Sequence, residues 1–251
     1  MEEAIKGLLV PFLGTSIGAA AVLVLKNGLP KRVAGFLSDA AAGIMAAAAV
    51  FSLLLPAMGQ AAEADNSPWL PAVMGFLLGA GLLAAWDRVS ARIEHTGAVS
   101  HSTRMLVLSV SLHNIPEGMA VGAAYAGLLS GQGGVTAMSA FALALGIALQ
   151  NLPEGAIISL PLSASGVGRG KSFLYGVLSG VSEPIAGAIT ILLARFAVPA
   201  LPWLLSFAAG AMAYVTGFEL LPDTFRERPF LGTLFVLGGF ALMTAMDVLL
   251  G

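Results

Sequence analysis

The sequence predicts an all-α membrane protein of eight transmembrane helices with both termini on the extracytoplasmic side. Three observations carry that expectation. The 251 residues are 57% apolar, with a mean hydropathy of +0.89 and only 10% charged side chains. A soluble domain carries about 25% charged residues, so this chain cannot cover a water-facing surface and lipid must solvate most of it. Eight apolar runs reach the roughly 20 residues that a hydrocarbon core demands at about 1.5 Å per residue. Finally, the basic residues gather at alternate joins between those runs.

The runs cover about 5–25, 33–58, 68–87, 105–129, 135–162, 172–194, 199–222 and 229–250. The first follows Met1-Glu2-Glu3-Ala4, which lacks the basic segment of a signal peptide, so it is expected to stay as a span. Charges and helix breakers mark the joins, as in Lys26-Asn27-Gly28-Leu29-Pro30-Lys31-Arg32, Asn66-Ser67-Pro68 and Gly131-Gln132-Gly133-Gly134. No join is long enough for another domain, which makes residues 1–251 one membrane domain.

Lysine and arginine favour cytoplasmic loops. The odd joins hold Lys26, Lys31, Arg32, Arg88, Arg92, Arg104, Arg169, Lys171, Arg226 and Arg228, against Lys6 and Arg195 on the other side. This bias puts the odd joins in the cytoplasm and, with eight spans, both termini outside. A net charge of -2 with no basic cluster excludes nucleic acid as a partner. The absence of cysteine excludes disulfides, thiolate metal sites and a cysteine nucleophile.

The chemistry lies in a repeated motif. His113-Asn114-Ile115-Pro116-Glu117-Gly118 in the fourth run returns as Gln150-Asn151-Leu152-Pro153-Glu154-Gly155 in the fifth. His113 lies about 13 Å beyond Arg104 by helical rise, and Gln150 and Glu154 lie at similar depth on an antiparallel helix. The two copies are therefore expected to meet near the midplane. His113 and Glu117 share a helix face, as do Gln150 and Glu154, while Asn114 and Asn151 each precede a glutamate by three. Each glutamate faces two polar neighbours, and a carboxylate has the oxygens to bridge two ions. Pro116 and Pro153 free the carbonyls of Leu112 and Leu149, which a polar cavity tolerates. One proline signals a kink; two in matching motifs beside a glutamate signal a site.

Glu183, in Gly180-Val181-Ser182-Glu183-Pro184, and Glu219, in Gly217-Phe218-Glu219-Leu220-Leu221-Pro222, bring the intramembrane glutamates to four with Glu117 and Glu154. No lysine or arginine lies mid-span to pair with them. A charge at the bilayer centre costs about 2.5–3.5 kcal/mol even on a lenient scale. These groups must be protonated or hold cations, and the adjacent imidazole and carboxamides favour a metal. Met45 is expected as core, with a thioether ligand as the alternative. His95 and His101 read as loop histidines, and Asp39, Asp87 and Asp247 as charges anchored at span ends. Gly14/Gly18, Gly75/Gly79 and Gly118/Gly122 read as close helix packing.

The paired motifs, the span count, Ser182-Glu183-Pro184 and Glu219-Leu220-Leu221-Pro222 together resemble the ZIP (Zrt/Irt-like protein) family of metal transporters, in its bacterial GufA-like branch. The resemblance covers essentially the whole chain. It implies a plasma- or inner-membrane protein moving zinc, and also iron, manganese, cobalt or cadmium, into the cytoplasm through a two-metal site between spans four and five. It assigns His113, Glu117, Gln150, Glu154 and Met45 to one metal. Asn114, Asn151 and Glu183 take the other, with Glu117 and Glu154 shared, and Glu219 lies on the exit route. It also implies a homodimer. Many members carry His where this chain has Gln150, and some carry Asp in place of Asn151; these departures remove an imidazole and a negative charge.

The residues alone leave rivals. An intramembrane metalloprotease needs a second histidine in His-Glu-x-x-His, which is absent. A proton-coupled carrier of a non-metal substrate explains the glutamates but not the His-Asn pairing. A passive metal channel shares the site.

Overall fold

A computed structural model describes residues 2–25, 30–63, 67, 69–94, 99–131, 135–164, 166–196 and 200–250. Within these, the side chains of residues 31, 63, 90–94, 99–113, 157, 195, 196, 219 and 250 are not among those described. The described residues are almost entirely helical, and no strand occurs among them. The first span is α1 (Glu2–Val24). The second is α2 (Lys31–Ala47), a π-helical stretch (Ala48–Leu54) and α3 (Leu55–Glu63). The third, fourth and fifth are α4 (Trp69–Glu94), α5 (Val99–Ser130) and α6 (Ala137–Ala164). The sixth is α7 (Arg169–Gly180) with α8 (Ser182–Phe196). The seventh is α9 (Leu201–Val215), a second π-helical stretch (Thr216–Leu220) and α10 (Leu221–Glu227), and the eighth is α11 (Leu231–Leu250).

Seven of these stretches are long and apolar enough to cross a membrane. The remaining one, α5, has 32 residues, and the polar motif at its centre dilutes its hydropathy. Outward faces are apolar, as a lipid-solvated surface requires: Leu9, Leu13 and Ile17 follow one face of α1, and Ile185, Ile189 and Leu192 one face of α8.

Proline explains the irregular helices. Pro56 and Pro222 cannot donate to the carbonyls of Ser52 and Phe218, four residues earlier, and both carbonyls lie in the π-helical stretches. Just before each proline, Leu55 N–H bonds the carbonyl of Val50 and Leu221 N–H that of Thr216, a five-residue reach. Pro184 similarly deprives the Gly180 carbonyl of a partner, and the sixth span breaks at Val181. Pro116 and Pro153 remain inside continuous helices.

The dominant helix pairs are first with fifth, fourth with sixth, third with seventh and second with eighth. Exchanging spans one with six, two with seven, three with eight and four with five maps this set onto itself. Spans that exchange run in opposite directions, so the fold is an inverted repeat. The relation holds residue by residue. A Cβ on Gly118 would overlap the carbonyl oxygen of Glu183, and a Cβ on Gly155 that of Thr15. In the other half, Gly210 abuts the Phe76 carbonyl as Gly43 abuts that of Val236. The glycines thus serve close packing, as their spacing predicts.

Asp39 is more than an anchored surface charge. It is 1% exposed and takes two hydrogen bonds from Arg228, Nε to Oδ2 at 2.9 Å and Nη2 to Oδ1 at 3.2 Å. Thr224 Oγ1 adds a third at 2.6 Å. Hydrogen bonding to Asp39 pushes the Arg228 guanidinium above its ordinary pKa. The pair ties the second span to the join between the seventh and eighth.

Candidate metal centre

The motif copies on α5 and α6 meet inside the bundle, where the first and sixth spans close over them. Asn114, Glu117, Gln150, Asn151 and Glu183 are all buried, none more than 3% exposed. The break at Val181 places Glu183 in the first turn of α8, where the helix dipole favours a carboxylate. Thr15, fully buried on α1, completes the shell.

The hydrogen bonds follow one pattern. Gln150 Nε2 donates to Glu117 Oε1 at 2.8 Å. Asn114 Nδ2 donates to Glu183 Oε1 at 3.0 Å and reaches the Ser179 carbonyl at 3.3 Å. Thr15 Oγ1 also donates to Glu183 Oε1, at 2.7 Å. Each carboxylate has one oxygen engaged by protein donors, while Glu117 Oε2 and Glu183 Oε2 receive none. The carboxamide oxygens of Asn114, Gln150 and Asn151 lack donors as well, and Asn151 Nδ2 lacks an acceptor. Asn151 faces both Glu117 and Glu183, and the two carboxylates lie close enough to repel.

Five buried oxygens therefore lack a donor, two of them on carboxylates. Leaving a buried polar group unsatisfied costs about 1–3 kcal/mol each, more for a charge. Among the described residues no lysine or arginine pairs with Glu117 or Glu183. An oxygen-rich donor set with this need matches a divalent cation. No three His, Cys, Asp or Glu residues form a metal-holding group among the described residues, because carboxamides supply three of the five oxygens.

The other predicted residues fall as follows. Glu154 lies half-buried on α6, one turn beyond Gln150. Met45 is buried in an apolar cluster with Ile44, Ile147 and Met212, in keeping with core packing. His113 and Glu219 occupy helical positions whose side chains lie outside those described, as does that of His101; His95 falls outside the described residues. Thr15 is the residue the sequence reading missed. Its only signal there is membership of Gly14-Thr15-Ser16 in an apolar run.

A separate cavity of about 240 Å³ is lined by Ser52, Ser139 and Asp247 together with Phe51, Leu143 and Leu205. Ser52 Oγ donates to Asp247 Oδ1 at 2.8 Å. Ser139 lies about 16 Å from Gln150 by helical rise along α6, with buried Leu143 and Ile147 between them.

This is a multi-pass helical membrane protein with an inverted repeat and a buried, oxygen-lined centre at the repeat interface. A family model described as ZIP zinc transporter matches residues 87–247. The chain is 34% identical to the zinc transporter GufA of Myxococcus xanthus over 94% of each protein. It is 32% identical to the zinc transporter ZIPB of Bordetella bronchiseptica, over 99% of this chain and 81% of that protein. It is 31% identical to the zinc transporter ZIP11 of Xenopus tropicalis, over 99% and 97%. The chain belongs to the ZIP family, as a GufA-like member.

Proposed function

We propose that this protein carries divalent metal ions, zinc foremost, across the membrane as their substrate and is not an enzyme. The supporting observation is the group of five buried, donor-less oxygens where the fourth, fifth and sixth spans meet. The names of its relatives point the same way. Glu117 Oε2, Glu183 Oε2 and Asn151 are the core ligands, with Asn114 on the side of Glu183. His113, Gln150 and Glu154 supply a second, adjoining position that shares the glutamates, with Met45 at its edge and Glu219 towards the exit.

Ligands that are oxygens, with one imidazole, bind zinc, iron(II), manganese, cobalt or cadmium without the trapping that thiolates produce. Release is as necessary to transport as binding. The termini are outside, ions enter from the cavity at Ser52 and Asp247, and net movement is towards the cytoplasm across the cell membrane. The inverted repeat suits alternating access, in which spans one, four, five and six shift against the remaining four. A homodimer is the working assembly.

The test is zinc uptake into proteoliposomes. Glu117→Ala and His113→Ala abolish uptake while the purified variants keep their helical content. Full uptake by either variant contradicts the site. Saturation and counterflow separate a carrier from a channel, and stabilisation on heating by zinc separates a metal carrier from a proton-coupled carrier of other substrates.

A further inference from the structure

Thr15 deserves a role of its own, because it is the only residue outside the motif-bearing and Glu183-bearing spans that donates to the carboxylates of the centre among the described hydrogen bonds. Its hydroxyl and Asn114 Nδ2 converge on the same oxygen, Glu183 Oε1, at 2.7 and 3.0 Å. That oxygen is then saturated, and Glu183 Oε2 alone remains without a donor. The side chain is pinned from the other flank as well: a Cβ on Gly180 would press on both the Thr15 side chain and Glu183 Oε1.

The inverted repeat sharpens the point. Gly118 meets the Glu183 backbone as Gly155 meets the Thr15 backbone, so Thr15 occupies in the first span the place that Glu183 occupies in the sixth. The repeat offers two such positions, and the chain fills one with a carboxylate and the other with a neutral donor aimed at that carboxylate.

We propose that Thr15 is a positioning residue of the metal centre, holding Glu183 so that a single oxygen, Oε2, is offered to the ion. This rests on the metal-site reading above. A carboxylate held with one oxygen forward meets the ion in one geometry and with little reorganisation on binding. Thr15 thereby sets the affinity and metal preference of the Glu183 side without touching the ion. It does so from the first span, which carries no part of the paired motif.

The experiment measures zinc binding to the purified full-length protein by competition with a chromophoric chelator, and the KM and maximal rate of zinc uptake in proteoliposomes. Thr15→Val, which removes the hydroxyl and keeps the volume, weakens zinc binding about tenfold, the usual loss when a group that orients a metal ligand is removed. It also shifts the ratio of cadmium to zinc bound. Thr15→Ser, which keeps the hydroxyl and loses a methyl, binds zinc more tightly than Thr15→Val. A packing role predicts the reverse order, since serine leaves a void and valine does not. On a Glu183→Gln background, Thr15→Val adds no further loss, because the two act through one contact.

Serine at least as damaging as valine, or losses that add, overturns the proposal. Should Thr15→Val not fold, Thr15→Ala against Thr15→Ser makes the same comparison. If Glu183→Gln itself leaves zinc binding unchanged, the metal-site reading falls and this one with it. If Glu183→Gln weakens binding and Thr15→Val does not, the role of Thr15 alone falls.

Discussion

Gln150 Nε2 donates to Glu117 Oε1 at 2.8 Å, joining the two motif copies across antiparallel helices 33 residues apart in sequence. In this contact the first copy supplies a carboxylate and the second a donor that engages one of its oxygens. The remaining oxygen of Glu117 has no donor, and in the proposed site it takes the cation.

That pairing makes the charge on Glu117 decisive. Glu117→Gln places two carboxamides against each other and removes one of the two carboxyl groups that Asn151 faces. Zinc binding to the purified protein falls at least about a hundredfold, in keeping with the loss of a charged ligand, and uptake disappears. Zinc affinity within threefold of the parent contradicts the assignment.

Close approach of the helices predicts a second pair of outcomes. Gly118→Ala pushes a methyl into the backbone of Glu183 and Gly155→Ala into that of Thr15. Each lowers stability by about 1–3 kcal/mol, the usual cost of overpacking, and each also weakens zinc binding, because the displaced backbones carry Glu183 and Thr15. Gly81→Ala, where a Cβ meets nothing within 4 Å, stabilises the helix by up to about 1 kcal/mol. Thermal unfolding in detergent, with and without zinc, measures all three.

The ion pair at the second span predicts a defect of stability rather than of ligand chemistry. Arg228→Met leaves Asp39 buried without its cation. Breaking one partner of a buried pair costs about 3–5 kcal/mol, and the partial exposure of Arg228, at 18% of its side chain, places the loss near the lower end. Thermal unfolding reads it directly, and a shift worth less than about 1 kcal/mol, the value of a surface pair, contradicts it.

Protons compete with metal for carboxylates and imidazole. Uptake therefore falls as the external pH drops. A flat profile from about pH 5 to 8 argues against coordination by these groups.

Much of this was legible in the sequence because the signals are local. A continuous apolar run of about 20 residues reads as a helix in lipid, and Pro184 lies within a turn of the break at Val181. The second motif copy announces the site by repetition. What the sequence does not carry is partnership across long separations. Asp39 lies 189 residues from Arg228, and as a carboxylate near a span end it looks like any interfacial charge. Thr15 lies 168 residues from Glu183, and a threonine in an apolar helix most often bonds its own backbone, as Thr190 and Thr216 do here. Only the folded repeat, which sets Thr15 opposite Glu183, separates it from them. The π-helical stretches before Pro56 and Pro222 are findings of the structure, although a proline inside a span disturbs the turn that precedes it.

The most direct test of the central claim is anomalous scattering at the zinc edge from crystals of the protein grown with zinc. The account predicts a peak enclosed by Glu117 Oε2, Glu183 Oε2 and Asn151, lost when the crystals are treated with chelator. Zinc-saturated crystals with no anomalous peak between the fourth, fifth and sixth spans would contradict it.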